Sequence, residues 1–384
     1  MSTATLSWRD RWLARRDRLL VSPRFREGAS RFVGTRPIAR RHARELFDLV
    51  AGFVYSQWLA ACVELDLFER LARAPMSARE LASSSDLPLP AAQRLLEAAM
   101  ALELVQARGD SPADGSSDPD RLYGLGPLGA AMVGNEAVVA MVRHHRTLYR
   151  DLADPLALLR SGNGGELSRY WAYASSGQPG ELARDHTSEY SALMSASQPL
   201  VAGQVLDAYP LTRHRRLLDI GGGEGVFVSE ALRRSPWLVA TVFDLPSVAD
   251  SARARFARLG LAQRAQAVGG DFHRQALPEG ADVVSLIRVI YDHGDDAALA
   301  ILRAARSALP PGGTLLLAEP MAGTAGAERM GAAYFGMYLL AMRGGRSRSA
   351  AELTTLLQRA GFDRVRQRNT ALPLQAGLLV ARAA

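Results

Sequence analysis

Two hydrophobic periods divide the chain. Over residues 45–125 apolar positions recur at helical spacing: Leu46, Leu49, Val50 and Phe53, then Trp58, Leu59, Val63, Leu65, Leu67, Phe68 and Leu71. Met76-Ser-Ala-Arg-Glu-Leu-Ala opens a helix with Ser77 as N-cap and Glu80 three residues on, a capping box. Pro90 sits in the first turn of the next helix. Apolar stretches at 104–107 and 122–125 then flank a polar run from Arg108 to Arg121, rich in Gly, Ser, Asp and Pro. Successive helices followed by a two-stranded wing predict a winged-helix module. Residues 126–200 continue helical, with a Gly/Ser-rich break over 161–165.

From Arg215 the pattern changes. Short apolar runs at 217–220, 239–244, 265–269, 281–287 and 313–318 read as strands, separated by helical segments at 226–234, 249–259 and 296–309. A helix at 352–360 and strands at 364–368 and 376–381 close the chain. The alternation predicts an α/β fold with a doubly wound parallel sheet. The last two strands are seven residues apart. A parallel crossover needs about a dozen residues or more, so this pair must be antiparallel. The expected organisation is an arm over 1–44, a winged-helix-like dimerisation domain over 45–125, a helical linker and substrate-lid region over 126–210, and a catalytic domain over 211–384.

Composition narrows the chemistry. At 384 residues with 48% hydrophobic and 22% charged positions, the chain suits two globular domains. All 46 basic residues are Arg, which removes lysine Schiff bases, a lysine general base and a Walker-type phosphate loop. The lone Cys62, in an apolar helical run, reads as a buried thiol. Charge is uneven: residues 1–45 carry +8 of the net +7, so the remainder sums to −1. Residues 45–125 hold 6 Arg against 13 acids, the wrong sign for a surface that neutralises phosphates, so no nucleic-acid partner is expected. The most apolar window, 49–63, is broken by Tyr55, Ser56 and Gln57, and no membrane-spanning helix is expected. No secretion signal is expected either, which points to the cytoplasm. In the arm, Trp8, Trp12, Leu13, Leu19 and Leu20 interleave with Arg9, Arg11, Arg15, Arg16 and Arg18. That composition suits peripheral contact with an anionic inner or photosynthetic membrane; packing on a partner subunit is the other reading.

The candidate chemistry lies at strand ends. Leu218-Asp-Ile-Gly-Gly-Gly-Glu-Gly-Val-Phe ends a strand, turns on glycines and opens a helix. Neither register of its glycines completes the G-x-G-x-x-G dinucleotide fingerprint. Instead Asp219 precedes the turn, suiting a ligand with a cationic or hydroxyl-rich end. Val242-Phe-Asp-Leu-Pro puts Asp244, followed by Leu245, at the end of the second strand, where an acid can accept both hydroxyls of a ribose. Gly269-Gly-Asp-Phe puts Asp271 and Phe272 at the end of the third, suited to an adenine amino group and ring. No His, Cys, Asp or Glu set has metal-ligand spacing, and no metal is expected.

These motifs, in this order and spacing, resemble those of the plant-type S-adenosylmethionine-dependent O-methyltransferases, over residues 45–384. The resemblance implies a class I methyltransferase sheet with an antiparallel last strand, a winged-helix dimerisation domain and a homodimer. It implies S-adenosyl-L-methionine contacts from Gly221, Gly223, Asp244, Asp271 and Phe272, with Arg288 at the family's basic position near that ligand. Where the family carries His-Asp-Trp with His as base, this chain reads Tyr291-Asp-His. That triplet, with Leu20-Val-Ser-Pro-Arg-Phe and Leu46-Phe-Asp-Leu-Val-Ala-Gly-Phe-Val-Tyr-Ser-Gln, resembles the bacterial carotenoid O-methyltransferases. Those enzymes methylate acyclic hydroxycarotenoids of the demethylspheroidene and hydroxyneurosporene type in spheroidene biosynthesis. A tertiary aliphatic alcohol is far less acidic than a phenol, so alignment and late proton loss must replace prior ionisation. His293 is expected to take that proton, oriented by Asp292 or by Glu319, with Tyr291 positioning the hydroxyl. His144 and His145 are expected to be structural, and Gly331-Ala-Ala-Tyr-Phe-Gly-Met-Tyr-Leu-Leu-Ala-Met to line an apolar tunnel. The alternative is a phenolic or polyketide acceptor.

Overall fold

The computed structural model describes residues 7–109, 118–170, 197–373 and 376–384. The tip of the expected wing, 110–117, and residues 171–196 of the expected linker and lid region therefore lie outside the described residues. The chain forms two compact units, 1–134 and 135–384.

In the first unit, Ser7 caps the helix Trp8–Val21 through a reciprocal box with Asp10, and Ser22 caps Pro23–Arg31. Neither helix buries a residue, and Trp8 is 76% exposed. The helix Arg36–Glu64 runs straight through the expected arm boundary at residue 44. It buries only Cys62 and Val63, leaving Leu46, Phe47, Leu49, Val50 and Phe53 exposed. By length and composition alone it could cross a membrane, contrary to the expectation from the broken apolar window. The break at Tyr55–Gln57 interrupts a run of apolar letters without making the helix polar overall. Cys62 lies in the core, and burial pushes its thiol up to about 12. Ser77 and Glu80 form the expected capping box. The wing gains a strand: β1 (Met76–Ser77), β2 (Val105–Ala107) and β3 (Leu122–Leu125) pair antiparallel in the order β1-β3-β2.

The second unit is built on a seven-stranded sheet. Its strands are β4 (Arg216–Ile220), β5 (Val239–Asp244), β6 (Ala265–Gly269), β7 (Val283–Ile287), β8 (Thr314–Glu319), β9 (Phe362–Arg368) and β10 (Gly377–Ala383), in the order β6-β5-β4-β7-β8-β10-β9. The first five run parallel; β10 pairs antiparallel with both β8 and β9. Every residue of β7 and β8 is buried. Such continuous apolar runs mark strands covered on both faces. Leu217 and Val283 pack under the helix Val226–Arg234, while Leu218 and Val284 pack under Asp295–Ser307 and Ala350–Arg359. The edge strand β9 is mostly exposed and carries Arg364, Arg366 and Arg368, charges that discourage edge pairing. Strand order reverses between β4 and β7, and ligands of open α/β sheets bind at such a switch point.

Candidate active site

The glycine turn after β4 is shaped by left-handed backbone. Gly221 has φ +64° and Gly223 φ +57°, conformations that disfavour a side chain. A Cβ at Gly221 would crowd Val289, whereas Gly223 faces open space. Asp244, half-buried at the end of β5, accepts from the Gly223 amide at 2.8 Å and the Leu245 amide at 2.7 Å. It therefore closes the turn and keeps lone pairs for a diol. Burial raises its pKa, against those two amides.

Asp219 is 1% exposed and packs against Gly222 of the turn. Parallel register places Ser285 opposite it, and the Ser285 hydroxyl donates at 2.5 Å. The other Asp219 oxygen lies against Gly222 and has no partner among the described residues. Burial pushes the acid up to about 7. Asp271 caps its own turn, accepting from the His273 amide at 2.9 Å. Phe272 is half-buried beside it.

The second cluster follows β7. Arg288 adopts φ +61°, an uncommon left-handed conformation for a non-glycine residue. A single 3-10 turn, Ile290–Asp292, comes next. Glu319, 1% exposed at the end of β8, accepts the Val289 amide at 3.1 Å and the Ile290 amide at 2.7 Å. Tyr291 and Asp292 are 3% and 5% exposed. Besides burial, the Arg288 and Asp292 charges both act on the Tyr291 phenol, Asp292 raising its pKa and Arg288 lowering it. One Asp292 oxygen and one Glu319 oxygen lack partners among the described residues. Burial pushes Glu319 up to about 8, raises Asp292 well above the ordinary carboxyl range through burial and the Glu319 charge, and raises Tyr291 above an ordinary phenol. Arg288 opposes all three shifts, so it serves this cluster, and its guanidinium also donates to Ser197 at 2.6 Å.

His293 departs from its expected partnership with Asp292 or Glu319. Its ring packs edge-on to Phe272 and His273, at centroid distances of 5.8 and 5.1 Å. Alternation along the turn explains this: Tyr291 faces Phe335 at 5.9 Å, and His293 emerges on the Phe272 side. Burial, with help from His273 and Arg348, drives it down to about 4.

Beyond Tyr291 lies an aromatic wall. A π-helical turn, Arg329–Tyr334, precedes the helix Phe335–Ala341. Such turns are rare and recur at functional sites. Tyr334 and Tyr338 stack at 5.8 Å. His144 and His145, from the helix Glu136–Asp151, bond the hydroxyls of Tyr338 at 2.9 Å and Tyr334 at 2.8 Å. Both are half-buried against those hydroxyls. Met342 is buried in the cluster and Met337 packs against it. Ser285 was missed in the sequence, although it is a lone polar letter in an apolar strand. Arg348, 2% exposed behind the Tyr291 turn, was also missed, because one Arg among 46 gives no signal.

A glycine turn backed by buried acids, followed by a second buried acid–phenol cluster, defines a group-transfer site on a nucleoside-binding sheet. The chain belongs to the O-methyltransferase family: its O-methyltransferase domain spans residues 149–363, and an O-methyltransferase dimerisation domain spans residues 47–135. The dimerisation domain supports a homodimer, and its match begins inside the helix Arg36–Glu64, which carries the exposed apolar stripe. The chain is 42% identical over 349 residues to demethylspheroidene O-methyltransferase of Cereibacter sphaeroides, covering 91% of this chain and 89% of that protein. It is 37% identical over 367 residues to the protein of the same name in Rhodobacter capsulatus, covering 95% and 88%. The solved structure of human N-acetylserotonin methyltransferase with SAM shares the fold, with a TM-score of 0.72 at 23% identity over 89% of this chain and 98% of that one.

Proposed function

We propose that this O-methyltransferase methylates the hydroxyl of an acyclic hydroxycarotenoid of the demethylspheroidene or hydroxyneurosporene type, in spheroidene biosynthesis, with S-adenosyl-L-methionine as donor. The observation that carries the substrate class is the likeness to two demethylspheroidene O-methyltransferases along nearly the whole chain. The aromatic wall of Tyr334, Phe335 and Tyr338 suits a flat, apolar polyene.

The donor's fit rests on the open Gly223 cradle and the spare lone pairs of Asp244 beside it. Gly221, Gly223, Asp244 and Leu245 would hold it, with Asp271 and Phe272 at its far side and Asp219 packed against Gly222 of the turn. When bound, S-adenosylmethionine supplies an electrophilic methyl group. The chain's own task is to hold the acceptor hydroxyl and take its proton. Tyr291 and Asp292 do this: the phenol positions the oxygen, and the unpartnered Asp292 oxygen accepts the proton as it leaves. A buried carboxyl whose pKa is raised is a stronger base once ionised than one in water. Glu319 fixes the backbone of that turn, and Arg288 balances the charge. His293, held against Phe272, is left as part of the donor-side wall.

Mass spectrometry of protein incubated with labelled donor and a substrate panel tests the reading. Label on the tertiary hydroxyl of an acyclic carotenoid is expected; preference for a phenol or polyketide would overturn it. The basic arm, with Trp8 and Trp12 exposed, would bring the site to an anionic lipid surface where such substrates reside. Flotation with anionic liposomes should weaken on deleting residues 1–44; unchanged recovery would refute the contact.

A further inference from the structure

Arg348 is a large, fully buried charge that the sequence does not single out. It lies between the helices Phe335–Ala341 and Ala350–Arg359. Its Nε and Nη2 donate to Asp295 Oδ1 at 2.9 and 2.7 Å. Nη1 donates to the Ile290 carbonyl at 3.1 Å and Nη2 to the His293 carbonyl at 2.7 Å. Ile290 and His293 bracket Tyr291 and Asp292, so one planar guanidinium ties down both ends of the turn. Arg346 braces the same Asp295 carboxylate at 3.1 Å. The loop also presses on the turn directly: Gly345, at φ +78°, lies so close that a Cβ there would collide with the Tyr291 carbonyl.

Burying a guanidinium is costly, and well-packed apolar residues often stabilise a fold equally well. What the charge supplies here is fixed geometry, since Arg presents a rigid fork of donors. We propose that Arg348 is a positioning residue for the methyl-transfer reaction, holding Tyr291 and Asp292 in register through the carbonyls on either side of them. The proposal rests on the reading that these two residues meet the acceptor hydroxyl.

The test compares Arg348→Ala, Arg348→Lys and Tyr291→Phe in the full-length protein, and combines Arg348→Lys with Tyr291→Phe. Turnover, acceptor KM, the pH profile and calorimetric binding of S-adenosylmethionine are read together. Misplacing a reacting group by about an ångström can cost about a hundredfold in rate. Arg348→Ala should therefore lower kcat by about ten- to a hundredfold, with donor affinity and binding stoichiometry within about twofold. Arg348→Lys should recover part of the loss. The double variant should lose less than the two single losses combined, because part of the Arg348 effect runs through the Tyr291 phenol and the rest through Asp292. If Arg348→Ala does not fold, the Lys variant and the double-variant comparison still decide. A kcat loss matched by a fall in donor-binding stoichiometry, or fully additive losses, would overturn the positioning role. Wild-type turnover for Tyr291→Phe and for Asp292→Asn would instead overturn the underlying reading of the site.

Discussion

Asp244 on the glycine-turn side and Asp292 beside Tyr291 are placed by different means. On the glycine-turn side, Asp244 has both oxygens on backbone amides, one from the turn after the neighbouring strand and one from the next residue, and Asp219 is met by the residue its register puts opposite. Around Tyr291, order comes from side chains of separate segments: Glu319 from β8, Arg288 from the end of β7 and Arg348 from beyond the aromatic helix. Backbone-held acids are suited to gripping a ligand in one pose. Asp292, with an oxygen lacking a described partner on a turn fixed by other segments, is suited to taking a proton.

The sharpest way to break this division is Asp292→Asn. Removing the proton acceptor should lower kcat by about 10²–10⁴-fold while donor affinity holds, as measured by turnover and calorimetry. Asp244→Ala should do the reverse. Loss of a charge-assisted grip costs about 1.5–3 kcal/mol, or about ten- to a hundredfold in donor Kd, with smaller change in saturated turnover.

A smaller effect concerns pH. Glu319 is raised from its ordinary value of 4.5 to about 8, and Asp219 from 3.8 to about 7. The native state therefore keeps protons that the unfolded chain releases. Stability from these groups is full below about pH 4 and is lost as pH rises through 7 and 8, at no more than about 1.4 kcal/mol per pH unit for each group. Thermal unfolding from pH 5 to 9 should show Tm falling, and Glu319→Gln should flatten the upper part of the slope.

Much of the fold was legible because it is written locally. The strand at 239–244 and the helix at 226–234 have the bounds their apolar runs indicated. The antiparallel end of the sheet follows from a linker too short for a crossover. Asp244, Gly221 and Gly223 were legible for the same reason, since turn and acid are defined by adjacent letters. Direction was not. The triplet Tyr291-Asp292-His293 names three chemically able groups, but which faces the acceptor depends on a 3-10 turn whose shape is set by Glu319, Gly345 and Arg348. Those contacts join residues 29 to 58 positions apart along the chain. The third wing strand is similar: Met76–Ser77 is too short to announce itself until Tyr123 lies beside it.

The central claim is that the proton leaves toward Tyr291 and Asp292, with His293 on the donor-side wall. Single-turnover methyl transfer by His293→Ala at saturating donor tests it most directly. The rate constant should stay within about threefold of the parent protein, the change being confined to donor affinity through the lost packing on Phe272. A fall of two orders of magnitude or more at saturating donor, with donor affinity intact, would return the proton to His293 and contradict the account.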